Sequence, residues 1–441
     1  MKLTHRTVGN CIIILMASIG LGLILLMGVY ALPVQPIKAH VFDSTAILES
    51  EGTYTEFLPQ WFVRMHPDNI NLHTMVFNNR GMARDNHTDS LMLGAAAYDD
   101  NQTTSVVQKA LLVYHDEVVP DAPYNSLLAY SQTGTVTALV AYPRYWHGYL
   151  VILKPLLFVL SYTGVRYFNV IALLILLLFL IRGIWIRIGK KETAAFAVAL
   201  LFAFPIVIPY CMQYCTMTYI MLIASNVMVY AGDTIWKRQH MIYYWLLLGI
   251  CTAYFDFLTY PVLALGVALV LQELVLKKTS GKMIICSVFF WLAGYGGMWS
   301  SKWVLADLLT DQHVIRDALN QIVHRTVGES DFVGRKANAI TAIGANLSCY
   351  TNIVFLIFLL VTLGWFIWNL VKNRKQNGSV NYHLIVIAII PFAWYALTAS
   401  HSFDHSSYTY RAIMASVFAM LCFSIGVKSN DGSNGHCADK E

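Results

Sequence analysis

The stretch CIIILMASIGLGLILLMGVYAL, residues 11–32, is apolar throughout and decides the class of fold. It can cross about 30 Å of hydrocarbon and exceeds the core of a signal peptide, so it predicts an uncleaved membrane anchor. Further apolar stretches lie at 165–185, 193–210, 212–231, 241–255, 258–276, 283–302, 350–371, 382–399 and 409–427. We therefore expect an all-α polytopic membrane protein with about ten transmembrane helices.

The composition of the chain agrees with this class of protein. Apolar residues make up 57% of it and charged residues 12%, whereas about 25% of residues are charged in soluble domains. The net charge of +5 comes from basic turns between the apolar stretches, where it orients helices and meets lipid headgroups. The sequence therefore predicts membrane lipids as partners and no nucleic acid.

Basic residues recur in every second turn between the apolar stretches. Lys and Arg in short loops stay on the cytoplasmic side, so the chain predicts a multi-pass protein of the cell membrane with both termini cytoplasmic. The basic positions are Lys2, Arg6, Arg182, Arg187, Lys190, Lys191, Lys237, Arg238, Lys277, Lys278, Lys282, Lys372, Arg374 and Lys375.

The same topology divides the chain into six parts. Residues 1–32 form the cytoplasmic tip and first anchor, and 33–147 form a first extracytoplasmic loop of short helices. An interfacial helix and transmembrane helices 2–7 occupy 148–302, and 303–349 is a second extracytoplasmic loop. Transmembrane helices 8–10 occupy 350–427, and 428–441 is a polar cytoplasmic tail.

Four polar motifs lie on the predicted outer side, and the first is DNHTDSLML at 85–93. Asp85 and Asp89 are four residues apart and share one face of a helix. Such a pair can bind a divalent cation, or one member can act as a general base while the other raises its pKa. The alternative is a helix cap followed by an acidic first turn.

The second motif is YPRYWHGY at 142–149, where the first outer loop returns to the membrane. Arg144, Trp146 and His147 predict a site for the face of a sugar or for a phosphate. An aromatic belt with an interfacial arginine is the alternative.

The third and fourth motifs are YFDFLTYP at 254–261 and HSFDHSSYTYR at 401–411. Asp256 stands between two phenylalanines, either as a functional carboxylate or as a helix cap acting through Thr259. His401 and His405 are metal ligands or hydrogen-bonding interface residues.

Two cations complete the predicted outer site. Arg411, together with Lys302 of the 283–302 span, supplies positive charge for an anionic lipid headgroup. Snorkelling to lipid phosphate is the alternative for Arg411. A divalent cation, Mg²⁺ or Mn²⁺, is left open as a cofactor, and no nucleotide-binding fingerprint accompanies these motifs.

With these motifs, the chain resembles the GT-C superfamily of polyprenyl-phosphate-dependent glycosyltransferases, and especially a group of mostly Gram-positive bacterial membrane proteins of that architecture. The resemblance rests on 85–89, 144–149, 255–259 and 401–411. It implies sugar transfer from a polyprenyl phosphate to a glycan or lipid acceptor of the cell envelope. It also implies a catalytic base or metal ligand at Asp85 or Asp89, with Asp43 as a rival.

The resemblance further implies a phosphate site at Lys302 and Arg411. Asp256 would position sugar hydroxyls or the acceptor, with Trp146 and His147 beside the sugar ring. Two other readings of the same residues stay open. A transporter or flippase for a lipid-linked sugar would use the same cations and aromatic rings without a base, and a non-catalytic envelope-assembly subunit would use them only to stabilise its loops.

Overall fold

A computed structural model describes residues 4–56, 82–99, 104–120, 122–277, 280–327, 337–375 and 381–426. The chain is nearly all helical, as the apolar stretches predict. Within these described ranges, six helices are long and apolar enough to cross a membrane by length and composition. They are His5–Tyr30, Tyr162–Arg187, Met212–Lys237, Gly281–Leu309, Ile353–Arg374 and Ser406–Ile425.

The helices are labelled here in chain order. The N-terminal part has α1 (His5–Tyr30), α2 (Val34–Glu51), α3 (Asn86–Ala97), α4 (Val106–Leu112), α5 (Pro123–Thr133) and α6 (Leu150–Val159). The central part has α7 (Tyr162–Arg187), α8 (Lys190–Leu201), α9 (Met212–Lys237), α10 (Met241–Phe255), α11 (Val262–Leu276) and α12 (Gly281–Leu309). The remainder has α13 (Val314–Val327), α14 (Ala339–Ser348), α15 (Ile353–Lys375), α16 (His383–Leu397), α17 (Ala399–Asp404), α18 (Ser406–Thr409) and α19 (Ile413–Ile425).

The all-α prediction needs one correction, because two small antiparallel sheets lie in the first loop region. Strand β1 (Tyr54–Glu56) pairs with β2 (Ala83–Asp85), and β3 (Tyr114–Asp116) pairs with β4 (Leu139–Ala141). Each strand has three residues, too few to give a clear alternating pattern in the sequence. The first sheet ends at Asp85, so it delivers the acidic motif to the start of α3.

Helix boundaries also differ from the predicted spans at three places. Helix α8 ends at Leu201, well before residue 210, because Pro205 and Pro209 follow it and cannot continue a helix. Helix α12 continues through the predicted start of the second loop to Leu309. Pro120 and Pro123 predict a break in helical structure, but Pro123 begins α5, where the missing N–H of a first-turn proline costs nothing.

A close crossing of α10 and α12 forms the centre of the helical bundle. A Cβ built on Gly249 of α10 would lie 2.0 Å from the carbonyl oxygen of Trp291, and one on Gly294 of α12 would lie 2.1 Å from that of Leu246. Small residues allow helix backbones to approach in this way. Asp256 follows α10 directly, and the predicted second loop follows α12. The tail predicted at 428–441 lies outside the described residues.

Candidate functional site

The acidic motif is anchored to the starts of two long helices. Asp85 caps α3, and its Oδ2 accepts a hydrogen bond from Gln213 Nε2 at 2.5 Å. Asp89 is fully buried, and its carboxylate accepts hydrogen bonds from Tyr162 Oη at 2.6 Å and from the backbone N–H of Met212 at 2.9 Å. Two elements distant in sequence, α7 and α9, therefore meet at this pair.

Burial changes the proton affinity of both carboxylates. Burial raises the pKa of Asp89 to about 7, although the charge of Arg166 and the hydrogen bond from Tyr162 act in the opposite direction. Burial also raises the pKa of Asp85, against hydrogen bonds from Thr88 and the charge of Arg411. Asp89 therefore gains and loses its proton close to neutral pH.

A buried ion pair supports the acidic motif from the α2 side. Both Nη atoms of Arg166 donate to the carboxylate of Glu51, at 2.8 and 2.9 Å. Arg166 Nη2 also donates to Tyr162 Oη at 2.8 Å, so one guanidinium joins Glu51 to the tyrosine that holds Asp89. The sequence analysis missed Glu51 and Arg166, because they lie far apart in the chain and outside the four motifs.

Arg411 lies on the α9 side of the acidic pair. It is fully buried, its guanidinium carbon lies 3.8 Å from the ring centroid of Tyr214, and Nη1 donates to the carbonyl of Ser407 at 3.1 Å. Its charge acts on Asp85. The structure thus brings the first and fourth motifs together, although neither contains a pattern that specifies the other.

The second motif contacts the turn after α10. Gly148 donates its N–H to the carbonyl of Tyr254 at 2.8 Å, and a Cβ at Gly148 would lie only 2.6 Å from that oxygen. His147 before it has a left-handed φ of 54°. Its Nε2 donates to the carbonyl of Tyr142 at 3.0 Å, and burial lowers its pKa well below the usual range, so the ring is neutral.

Asp256 follows α10 and caps the turn to α11. One oxygen accepts from the backbone N–H of Thr259 at 2.9 Å, and the other accepts from the hydroxyl of the same residue. Burial raises the pKa of Asp256 to about 6. The local capping geometry weighed in the sequence is therefore present, and Phe257 places its ring 6.2 Å from that of His147.

The histidines of the fourth motif bind the same turn. His401 Nε2 donates to the carbonyl of Leu258 at 2.7 Å, and Nδ1 accepts from Arg325 Nη1 at 2.5 Å. His405 lies 4.6 Å from His401 between ring centroids, and burial lowers its pKa to about 3. Both rings are neutral and both nitrogens of His401 are in use. Arg325 comes from α13 and was not among the predicted site residues.

Lys302 and Trp146 form a separate buried contact. The Trp146 indole donates to the carbonyl of Met298 at 2.6 Å, and Lys302 Nζ lies 5.2 Å from the indole centroid. Lys302 is fully buried and donates to the carbonyl of Ala110 at 2.8 Å. The structure therefore places Lys302 among α4, α12 and the second motif, bound to the protein backbone.

A polar cavity of about 270 Å³ lies between α3, α5 and the β3–β4 sheet. Its wall carries two carboxylates, two histidines, tyrosines and one arginine, which are groups that bind sugar hydroxyls. They include His87, Ser90, His115, Asp116, Glu117, Tyr130, Tyr142 and Arg144. Asp85 and Asp89 are outside this lining, behind the wall that α3 forms.

A second cavity, of about 90 Å³, adjoins α12, α13 and α16 and is mostly apolar. It is lined by aromatic rings and aliphatic groups, with Arg325 at one side; the aromatic members are Tyr145, Trp299, Trp303 and Trp394. Arg144 lines both cavities, and its Nη1 donates to Asp317 of α13 at 3.1 Å. One arginine thus stands between a polar space and an apolar one.

The divalent cation left open by the sequence would need oxygen or nitrogen ligands that lie close together. No group of three or more His, Cys, Asp and Glu side chains in the described residues is arranged to hold a metal ion. The carboxylates of Asp85, Asp89 and Asp256 instead accept hydrogen bonds from protein groups.

The four motifs therefore form two adjoining clusters. Asp85, Asp89 and Arg411 form the first, and His147, the Asp256 turn, His401 and His405 form the second. Glu117 and Arg325 were missed by the sequence analysis. Within the predicted second loop, Val314, Ala318, Ile322 and Val323 have amphipathic spacing, but no local pattern could show that Arg325 would reach His401.

Comparisons of the chain with protein-family models, curated proteins and solved structures find no match.

Proposed function

We propose that this protein is a membrane glycosyltransferase that moves a sugar from a polyprenyl-phosphate donor to a cell-envelope acceptor outside the membrane. The observation that carries the proposal is the pair of cavities that meet at Arg144. The order is a polar cavity, an arginine and an apolar cavity. A lipid-linked sugar has matching parts in that order: a polar head, an anionic link and an apolar tail. The resemblance of the motifs to GT-C enzymes points to the same substrate class.

In this proposal the sugar occupies the polar cavity, and the phosphate lies against Arg144 and Arg325. Arginine suits this role because its planar donor fork matches phosphate oxygens. The first isoprene units contact the aromatic rings of the second cavity. Lys302 and Arg411 are fully buried and bound to backbone carbonyls, so we assign them to support of the site instead of direct phosphate contact.

The transfer is a single inverting displacement. An acceptor hydroxyl attacks the anomeric carbon, its proton passes to a carboxylate, and the bond to phosphate breaks with its electron pair leaving on the polyprenyl phosphate. Glu117 lines the cavity, whereas Asp85 and Asp89 lie behind its wall. We therefore propose Glu117 as the base, with the acidic pair of the first motif holding α3 in place and Asp89 as the rival base.

Release of polyprenyl phosphate tests this function. The full chain is reconstituted in liposomes with undecaprenyl-phosphate-linked hexoses, supplied one at a time, and with envelope extract as acceptor. We expect release with one hexose, and a loss of about 10- to 100-fold in Arg144→Gln, as expected for a lost charge-assisted hydrogen bond. Arg187→Gln removes an arginine at the C-terminal end of α7, whose side chain is 32% exposed, and should keep the parent rate.

The carboxylate variants identify the base. Glu117→Gln should abolish release, and the exposed Glu49→Gln should not. If Asp89→Asn abolishes release while Glu117→Gln is active, the base is the one the sequence suggested. Sugar movement across the membrane without release would indicate a transporter, and neither activity would indicate an assembly subunit.

A further inference from the structure

Helix α13 has an apolar stripe that faces away from the protein. Ile315, Leu319, Ile322 and Val323 follow the i, i+4, i+7, i+8 spacing of one helix face. All four are exposed, with Leu319 at 54% and Val323 at 60%, but Ile322, at 37%, also lines the apolar cavity and marks the edge of the stripe. A surface helix of a water-soluble protein turns this stripe toward its core, so the orientation here requires a different apolar environment.

The side of α13 that faces the protein carries the polar groups that bind residues of other elements. Val314 and Ala318 are buried there, and Asp317, Gln321 and Arg325 are partly buried beside them. Asp317 binds Arg144, and Arg325 binds His401. Gln321 and Arg325 also line the apolar cavity.

A third side of α13 is polar and exposed. Arg316 and Asn320 lie on it, between the apolar stripe and the side that contacts the protein. A helix with separate apolar, water-facing and protein-facing sides fits the boundary between a membrane and water, where its axis lies in the plane of the interface. Arg316 adds a positive charge at the level of anionic headgroups.

The apolar surface also continues from a membrane-crossing helix. Helix α12, one of the six candidate spans, ends with the exposed Leu308 and Leu309, and α13 starts a few residues later. The backbone N–H of Ile315 donates to Asp307 of α12 at 3.1 Å, which fixes the turn between them. Lipid that surrounds α12 therefore reaches the stripe of α13.

We infer that α13 is an interfacial helix that inserts Ile315, Leu319 and Val323 into the outer boundary of the lipid bilayer and holds Arg144 and His401 from its opposite side. The partner for this surface is lipid. The contact would make the positions of Arg144 and Arg325 depend on the membrane around the protein. It does not depend on the proposed glycosyl transfer.

Quenching of a fluorescent amino acid tests the inference. An environment-sensitive fluorescent residue replaces Leu319 in one variant of the full chain and its exposed neighbour Asn320 in a matched control. Each protein is placed in nanodiscs of phosphatidylcholine and phosphatidylglycerol, with or without bromine atoms on the acyl chains. Thermal unfolding of both variants checks that they fold.

We expect brominated lipid to remove most of the emission at position 319 and little at 320, and aqueous iodide to show the reverse order. Equal or weaker bromine quenching at 319 than at 320 overturns the inference. In that case, strong iodide quenching at 319 indicates water, and protection from both quenchers indicates a protein partner or a second copy.

Discussion

Asp89 shows how a single residue changes its chemistry when it leaves water. It lies one helical turn after a helix cap, where an acidic side chain is ordinary. In the folded chain it is fully buried and accepts hydrogen bonds from Tyr162 and from the backbone of Met212. Burial is the main reason that its pKa is raised to about 7.

The raised pKa of Asp89 predicts a pH-dependent stability difference. Between about pH 4 and 7 the unfolded chain loses this proton while the folded chain keeps it, so rising pH destabilises the fold, and the full penalty is present above pH 7. Asp89→Asn removes the penalty. We expect the unfolding free energy of the variant, compared with that of the parent, to rise by on the order of a few kcal/mol from pH 5 to pH 8. Unfolding in detergent micelles at the two pH values measures this difference.

Asp43→Asn is the control for this measurement. Asp43 is an exposed carboxylate on α2, and a surface substitution of this kind changes stability by about 0.5 kcal/mol or less. A difference between Asp89→Asn and the parent that stays constant with pH, or that favours the parent as pH rises, would contradict the assigned cause.

Arg166 allows a second prediction at the level of one residue. It binds both oxygens of Glu51, and side-chain exposure is 7% for Arg166 and 14% for Glu51. Removing one partner of a buried pair costs about 3–5 kcal/mol when the other charge is left unpaired. Glu51 keeps its ion pair with Arg84 at 2.7 Å, so we expect Arg166→Gln to lower the free energy of unfolding by a smaller amount, about 1.5–3 kcal/mol, as for the loss of hydrogen bonds to a charged group.

The same helix provides the matched control for Arg166. Arg187 of α7 pairs with Asp233, but its side chain is 32% exposed and that of Asp233 is 44% exposed. Exposed pairs contribute about 0–1 kcal/mol, so Arg187→Gln should have a small effect. Equal losses of unfolding free energy in the two variants would show that burial of the Arg166–Glu51 pair does not increase its contribution to stability.

At the scale of elements, the crossing of α10 and α12 makes a sharp prediction. Gly249→Ala would bring a methyl group against the backbone of α12, where no flexible side chain can move aside. We expect a loss of about 1–3 kcal/mol or more in unfolding free energy and reduced activity, because Asp256 follows α10 directly. Gly296→Ala in α12 meets no atom within 4 Å and should be neutral or slightly stabilising. Parent stability in Gly249→Ala would show that the helices can separate freely.

Which elements form was largely predictable, and where they end was not. The apolar stretches at 11–32, 165–185 and 212–231 contain the centres of α1, α7 and α9. Helix ends depend on local breakers and on tertiary contacts, which apolar spacing does not encode. The short strands were missed for a related reason, since three residues carry too little periodicity.

At the scale of the whole molecule, the basic turns predict sidedness. Arg238→Cys, after α9, should react with a membrane-impermeant maleimide only from the cytoplasmic side of a sealed vesicle, and Asn320→Cys, on α13, only from the outer side. Both side chains are exposed. The parent chain corrects for labelling of its own cysteines. Labelling of both positions from one side would refute the topology and move the cavities away from the outer surface.

The sequence by itself determined the membrane class, the approximate helix positions and the four motifs that carry polar chemistry. Those features follow from local composition, since hydrocarbon accepts only continuous apolar helices. Only the tertiary structure decided that the charge of Arg411 acts on Asp85, that Arg325 binds His401 and that Arg144 lines two cavities. These contacts join residues far apart in the chain, and they depend on how helices cross, which no local pattern specifies.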